Sequence, residues 1–338
     1  MLPETFRCYL VRQTGKDLTD AGVDSRPLRE LPLGDVTICV ERSSLNYKDA
    51  MAASGHPGIV RKFPHVPGID AAGTVVESTN SAFKPGDQVL STGHELGVER
   101  WGGWAEYIRV PAAWVLLLPA GLTIDEAMAL GTAGFTAAQC VDALLRHGLE
   151  PDRGPIVVTG ATGGVASLSI MILSQLGFRV VAVSGKSQQR DWLMNIGAEQ
   201  VVPRDEFLNI PNRPLLSANY AGGVDTVGGT VLAAVLRMIS HRGGVACCGI
   251  AGGAELQTTV YPFILRGISL AGIDSAWCPD DERRAIWEKL AGTWKPRFLM
   301  DAVRTVTLSE VGAISKDMLA GKTHGRTIID VTSGGPSC

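Results

Sequence analysis

The stretch Pro155-Ile156-Val157-Val158-Thr159-Gly160-Ala161-Thr162-Gly163-Gly164-Val165-Ala166 decides the fold. Ile156 to Thr159 predicts a short strand buried on both faces, and Val165 to Leu176 predicts a helix with Ser and Ala on one side. Between them, glycines at 160 and 163 let the backbone turn tightly and come close to a pyrophosphate. The helix start aims free N–H groups and about half a positive charge at such an anion. A lone glycine fingerprint is a weak signal, because any strand–helix turn can be Gly-rich. Its flanks and the βα units that follow favour a dinucleotide site over a structural turn. Ala166 stands where the pattern's last glycine is usual, and it is small enough for helix–strand packing.

Outward from this turn, strands and helices alternate. Arg179 to Val183, Val224 to Val227, Gly244 to Cys248 and Ile268 to Ala271 read as further strands, and Gln188 to Ile196 as a helix. Continuous apolar strands bounded by helices predict a parallel sheet covered on both faces, a doubly wound α/β domain. The first third of the chain is different. Val36 to Glu41 alternates apolar and polar residues, Ala72 to Glu77 resembles it, and Lys84-Pro85-Gly86-Asp87 is a turn into Gln88-Val89-Leu90. Trp104 to Val110 and Trp114 to Leu118 are further strands, punctuated by Pro111 and Pro119. These short strands predict a compact, irregular β-barrel. Two helices follow, Asp125 to Leu130 and Gly134 to Leu145, and Thr327 to Val331 is a strand that returns to the β-domain. The expected division is a first domain over 1–127, a nucleotide-binding domain over 128–298 and a returning segment over 299–338, ending in a loose tail from Ser333 to Cys338.

Composition agrees with two domains: at about 150 residues per domain, 338 residues make roughly two. Glycine is in excess, 40 residues or about 12% against a usual ~7%, which suits many tight turns. The net charge of −3 has no block of like sign, so neither a nucleic-acid field nor a polybasic membrane stripe is expected. No apolar run approaches the ~18 residues of a membrane span, and the N-terminus lacks the order of a secretory signal. The expected location is the cytoplasm. The seven cysteines, at 8, 39, 140, 247, 248, 278 and 338, include no C-x-x-C pair and read as reduced thiols rather than zinc ligands.

The end of the second strand selects the nucleotide. An NAD site usually places Asp or Glu there, on the ribose 2′-hydroxyl. This chain has Val183-Ser184-Gly185-Lys186-Ser187-Gln188-Gln189-Arg190, whose Ser184 and Lys186 suit a 2′-phosphate. One charge-assisted hydrogen bond is worth about 1.5–3 kcal/mol, enough to set the preference for NADPH. Arg204 is a second cation for that phosphate; Arg190 reads equally well as a surface charge. Catalytic zinc is not expected. Ser43-Ser44-Leu45-Asn46-Tyr47-Lys48-Asp49 and Val66-Pro67-Gly68-Ile69-Asp70 offer no Cys or His where zinc alcohol dehydrogenases carry ligands. Gly93-His94-Glu95 has no partner Cys, and His94 reads as a surface residue.

Several motifs together resemble a known family. They are Ser44 to Asp49, Pro67-Gly68-Ile69-Asp70-Ala71-Ala72-Gly73-Thr74-Val75, Lys84 to Asp87, Gly131-Thr132-Ala133-Gly134-Phe135-Thr136-Ala137, Val202 to Phe207, Pro262 to Gly267, Ala271 to Ser275 and Gly325-Arg326-Thr327. From about Tyr9 to Val331 the chain resembles the zinc-free medium-chain dehydrogenase/reductases, in their quinone oxidoreductase branch, and within it the NADPH-dependent acrylyl-CoA reductases. The resemblance implies a GroES-like first domain, a Rossmann second domain and a homodimer. It also implies cofactor-contacting roles for Tyr47, Thr136, Gly160, Ala161, Thr162, Gly163, Gly164, Val165, Ser184, Gly185, Lys186, Arg204, Gly249, Ile250, Ser275 and Arg326. Lys186 stands where some relatives have Arg, and the loop His94 to Trp101 departs from the expected pattern.

The implied activity is conjugate reduction of an α,β-unsaturated carbonyl, with acrylyl-CoA as acceptor. The alternatives are a quinone or free enone as acceptor, or a non-catalytic NADPH-binding protein. Tyr47 is the leading catalytic candidate, as donor to the carbonyl or holder of the nicotinamide; a core tyrosine is the structural alternative. Asn46 and Asp70 are expected to position it, and Arg61 or Arg100 to meet CoA phosphates.

Overall fold

Residues 2–15 and 18–333 are described by a computed structural model, in which the chain forms two compact units. Residues 334–338 of the expected tail, Cys338 among them, lie outside the described residues. One unit reaches Thr132 and also takes in Ala276–Arg284 and the chain from Val303 on; the other is Ala133–Ser275 with Ala285–Ala302.

The first unit opens with a hairpin of β1 (Thr5–Gly15) and β2 (Leu18–Pro27), paired antiparallel from Thr5 opposite Pro27. The sequence reading places no strand here, because β2 is mostly polar and exposed and shows no alternation. There follow β3 (Val36–Ser44), α1 (Tyr47–Ala53), β4 (Asp70–Ser78), β5 (Gln88–Thr92), β6 (Tyr107–Val110) and β7 (Leu116–Leu117). Trp114, expected in a strand, instead ends a 3-10 turn begun by Ala112. Then α2 (Ile124–Arg146), which belongs to the first unit up to Thr132 and to the second from Ala133, has a sharp kink at Gly131 (φ 50°, ψ −154°) that separates the two helical stretches expected from sequence. It is long and apolar enough to cross a membrane, contrary to the expectation that no segment would be; 78% of that window is buried inside the protein, the environment of a core helix.

The second unit continues with β8 (Ile156–Thr159), α3 (Gly164–Gln175), β9 (Val180–Ser184), α4 (Arg190–Asn195), β10 (Gln200–Pro203) and α5 (Arg204–Leu208). After these come β11 (Tyr220–Asp225), α6 (Gly229–Met238), β12 (Ile239–Cys247), α7 (Tyr261–Arg266) and β13 (Ser269–Gly272), then α8 (Asp280–Ala291), which belongs to the first unit up to Arg284 and to the second from Ala285. The chain then returns to the first unit with β14 (Val303–Thr307), α9 (Val311–Leu319) and β15 (Arg326–Asp330).

In the second unit the sheet order is β10-β9-β8-β11-β12-β13, and every pairing is parallel. Renumbered within the unit this is 3-2-1-4-5-6, the Rossmann order, whose direction reverses between β8 and β11. Ala166 to Leu173 of α3 are buried, so the helix lies close on the sheet as the small Ala166 allows.

The first unit's larger sheet runs β14-β15-β3-β4-β5-β7, with β6 also on β3. β3 is its spine. It pairs β6 through Val36 to Cys39 and β15 through Arg42 to Ser44, while β4 lies alongside. The expected return of the C-terminal strand is thus observed. Trp104, fully buried, anchors the core: its indole N–H donates to the Ser44 carbonyl (3.0 Å), and Tyr9 meets it edge-on. Five described cysteines are free, whereas Cys39 on β3 is disulfide-bonded, which departs from the reduced-thiol reading there.

Candidate cofactor and acceptor sites

In the second unit, the turn after β8 meets the turn after β11 at the point where the strand order reverses. Gly160 has φ 63°, and a Cβ there would lie 2.5 Å from Thr226 Oγ1. The Ala161 N–H donates to the Val183 carbonyl (3.1 Å) and the Gly163 N–H to that of Gly160 (2.8 Å), which close the loop. No side chain caps α3 at Gly163, so the helix start is left for a ligand's anion. Below it, Thr159 Oγ1 donates to Asp225 (2.6 Å), which also accepts the Gly228 N–H (2.7 Å); burial pushes the Asp225 pKa up. Ala161 and Thr162 are buried, Gly164 and Val165 half-buried. The loop after β12 comes close as well: Gly249 packs on the Thr226 backbone, and Ile250 beside it is exposed.

At the end of β9, Ser184 is buried and its hydroxyl accepts the Lys186 N–H (3.0 Å). The Arg204 guanidinium lies over Gly185, where a Cβ would be 3.3 Å from it. Ser184, Gly185 and Lys186 thus lie at the end of β9 with the Arg204 guanidinium beside them, although Arg204 also donates to Asp205 (3.2 Å). Partial burial lowers the Lys186 pKa. Arg190 instead donates to the Val201 carbonyl (2.9 Å), so it belongs to the scaffold of β10. Thr136 is buried in α2, and Ser275, just past β13, is half-buried. A glycine cradle, an uncapped helix and a cationic rim fit a phosphorylated dinucleotide.

The first unit gathers a separate polar cluster around Asp70, which is fully buried. Its carboxylate accepts from Ser44 Oγ (2.6 Å), Asn46 Nδ2 (2.8 Å), Thr132 Oγ1 (2.6 Å) and the Thr132 N–H (3.0 Å). Arg326, only 3% exposed, donates to the carbonyls of Ala129 (2.8 Å), Leu45 (3.3 Å) and Met128 (3.5 Å) and to Asn46 Oδ1 (3.2 Å). Burial lowers its pKa, while the charges of Asp70 and Asp49 work to keep it protonated. The left-handed Gly131 makes room for both groups; a Cβ there would lie 2.5 Å from Asp70 Oδ2 and 3.0 Å from Arg326. Arg326, read from the resemblance as a cofactor contact, is thus enclosed by main-chain carbonyls.

Asp49 completes the cluster and was missed by the sequence reading. It accepts the N–H groups of Ile69 (2.8 Å), Gly68 (3.2 Å) and Asn46 (2.8 Å) and the Asn46 side chain (3.0 Å), forming the capping box of α1. The signal was present, since Asn46 and Asp49 have the N-cap–N3 spacing. Tyr47, the first helical residue after this cap, is 53% exposed, which removes the core-tyrosine alternative. Arg61 is exposed and pairs with Glu99 (3.5 Å), while Arg100 packs over the Trp114 ring and donates to the Leu33 carbonyl.

A Rossmann sheet with this cradle and a GroES-like β-unit define a nicotinamide-dependent oxidoreductase class. The comparisons agree. Residues 32–120 match the alcohol dehydrogenase GroES-like domain and residues 164–291 the zinc-binding dehydrogenase domain. Over 321 residues the chain is 46% identical to the acrylyl-CoA reductase AcuI of Ruegeria pomeroyi, covering 95% of this chain and 97% of that protein. Escherichia coli K-12 YhdH with bound NADPH superposes with a TM-score of 0.93 and 45% identity, over 96% of this chain and 100% of that one. Bacillus subtilis YhfP with NAD bound gives 0.93 and 43%, over 97% and 99%. The chain belongs to the medium-chain dehydrogenase/reductase family, alongside the acrylyl-CoA reductases and quinone oxidoreductases.

The zinc that one matched domain's name implies does not fit this donor set. Among the described residues no group of three or more His, Cys, Asp or Glu side chains could hold a metal ion. His65 bonds the Gly97 carbonyl (2.9 Å), and His94 stacks on Trp114 and is half-buried rather than a surface residue.

Burial first, and then the Asp70 charge, push the Asp49 pKa up to about 7, against the pull of its N–H partners. Between an unfolded value near ~3.9 and the folded one, the native state holds the extra proton, so this stability drains away as pH rises. Denaturant titrations from pH 5 to 8 are expected to show wild type losing stability relative to Asp49→Asn, by up to about 1.4 kcal/mol per pH unit. A pH-independent difference contradicts this assignment.

Proposed function

We propose that the protein is an NADPH-dependent reductase of the C=C bond of α,β-unsaturated carbonyl compounds, converting acrylyl-CoA to propionyl-CoA. The observation that carries the cofactor is the rim of Ser184, Lys186 and Arg204 beside the glycine turn. The acceptor class follows from the near full-length similarity to a protein named acrylyl-CoA reductase. We assign acceptor chemistry to the domain over 1–127 with the returning segment 299–338, and cofactor binding to 128–298.

When bound, NADPH supplies a hydride for the β-carbon of the acceptor. Gly160 to Val165 hold its diphosphate through backbone N–H groups and the α3 dipole. Ser184 and Lys186 donate to the 2′-phosphate, with Arg204 adding charge over Gly185. Thr136, Gly249, Ile250 and Ser275 complete the cofactor contacts. Tyr47 donates its hydroxyl hydrogen bond to the acceptor's carbonyl oxygen as negative charge builds there. Asn46, Asp49, Asp70 and Arg326 act as positioning residues, because they fix the cap from which Tyr47 projects.

The protein works as a homodimer in the cytoplasm; five cysteines are free among the described residues, and the disulfide at Cys39 is the feature that stands against a reducing location. β13 is an edge strand, and α7 just before it exposes Tyr261, Ile264 and Leu265, a surface suited to a second copy. Light scattering is expected to give twice the 35.8 kDa of one chain, and Ile264→Glu to return the single-chain mass.

Steady-state rates with acrylyl-CoA, a benzoquinone and methyl vinyl ketone test the reading. The highest kcat/KM is expected for acrylyl-CoA, and a preferred quinone overturns the acceptor assignment. Lys186→Glu is expected to cut the preference for NADPH over NADH by at least about tenfold. An unchanged ratio removes Lys186 from the site. Tyr47→Phe is expected to lower kcat by roughly 100-fold with little change in the KM for NADPH; the reverse pattern makes Tyr47 a cofactor clamp.

A further inference from the structure

Four side chains of the first unit form a stack that no step above uses. The Arg100 guanidinium lies 5.4 Å from the Trp114 ring centroid. His94 lies parallel to Trp114 on an interplanar angle of 0°, with ring centroids 5.2 Å apart. Trp277 then meets His94 edge-on, at 6.3 Å and 88°. Arg100, Trp114, His94 and Trp277 thus form a ladder that reaches the surface at Trp277, which is 63% exposed.

The backbone beneath this ladder is held in an unusual way. His94 has φ 55°, a left-handed conformation that residues with side chains seldom adopt. Such strain persists only where surroundings over-determine it, and it clusters at ligand-contacting positions. The His94 N–H donates to the Ala276 carbonyl (3.2 Å), and Arg283 donates to the same oxygen (3.0 Å). Arg283 is 2% exposed and also donates to the Thr92 carbonyl (3.0 Å). Cys278, on the other side of Trp277, is buried. The exposed indole therefore stands on a main chain pinned immediately before and after it. Burial, and then the Arg283 charge, push the His94 pKa down to about 4, so the imidazole under the indole is neutral at physiological pH.

An indole kept in water forgoes hydrophobic stabilisation, and a fixed main chain behind it has already lost conformational freedom. Both features favour a flat partner, which would bury the ring face without ordering the loop anew. We propose that Trp277 is a stacking platform for the flat, conjugated ring of the acceptor, pre-organised by His94 and Trp114. This rests on the reductase reading: the ring is the adenine of a CoA thioester or the ring of a quinone. In either case Trp277 is a specificity-determining residue that separates ring-bearing acceptors from small free enones.

The test compares wild type, Trp277→Ala and Trp277→Phe on acceptors that differ in the ring. Acrylyl-CoA is set against the acrylyl thioester of N-acetylcysteamine, which has the same alkene and no adenine; naphthoquinone is set against methyl vinyl ketone. In Trp277→Ala the KM advantage of acrylyl-CoA over its ring-free partner is expected to shrink roughly 5- to 20-fold, with most of it kept by Trp277→Phe. Shrinkage confined to the naphthoquinone pair identifies the quinone ring as the partner. Advantages unchanged in both pairs overturn the proposal. His94→Ala frees the indole and is expected to give a similar loss, which does not add to that of Trp277→Ala; full additivity overturns the pre-organisation. Calorimetric titration of CoA and of naphthoquinone into each variant reads binding without turnover. If wild type reduces no acceptor, the reductase reading fails, while these titrations still decide the platform: affinities equal across the variants overturn it.

Discussion

The first unit depends on how two buried carboxylates are kept in a low-dielectric interior. An isolated buried charge is so costly that it must be paired or neutralised. Here Asp70 is served by hydroxyl, amide and main-chain donors, and Arg326 brings the opposite charge. Each partner sits on a different element: Ser44 ends β3, Asn46 caps α1, Thr132 follows the kink of α2, and Arg326 opens β15. One carboxylate therefore fixes where four elements meet. Removing it would leave a buried guanidinium without its main counter-charge, the more damaging half of such a pair.

The second unit solves a different problem, the approach of a highly charged ligand to a backbone. Strand order brings the turns after β8 and β11 side by side, and Thr159, Thr226 and Asp225 knit them together. Nothing bulky stands at Gly160, and nothing acidic occupies the tip of β9 between Ser184 and Lys186. We propose that the choice between the two nicotinamide nucleotides is made at those few residues. The solved relatives with NADPH and with NAD share the same architecture at a TM-score of 0.93, so the fold alone does not make that choice.

Much of this was legible in the chain. The strands β8 and β9 and the last residues of β11 and β12 are rich in small and branched apolar residues, and the Rossmann unit could be read from them and their turns. The strand β10 and the N-terminal hairpin were not, since their residues are partly polar and their pairing is decided by neighbours distant in sequence. The link between Ser184 and Lys186 joins residues two positions apart, so that corner could be read locally. The Asp49–Asp70–Arg326 cluster was not, for its members lie up to 277 positions apart and only the sheet brings them together. His94 was misread for the same reason: its aromatic neighbours Trp114 and Trp277 come from other parts of the chain, and a lone histidine between Gly93 and Glu95 gives no hint of them.

The position of β15 has a consequence for how the molecule is made. Ile328 to Asp330 pair with Arg42 to Ser44, and the residue that balances the buried carboxylates opens this same strand. During synthesis the earlier strands leave the ribosome long before their counter-charge does. The nucleotide-binding unit, whose six parallel strands lie between Ile156 and Gly272, can assemble while the first unit waits. Ribosomal pausing or early termination ahead of Arg326 would thus release a chain with one half formed and the other open to chaperones and proteases.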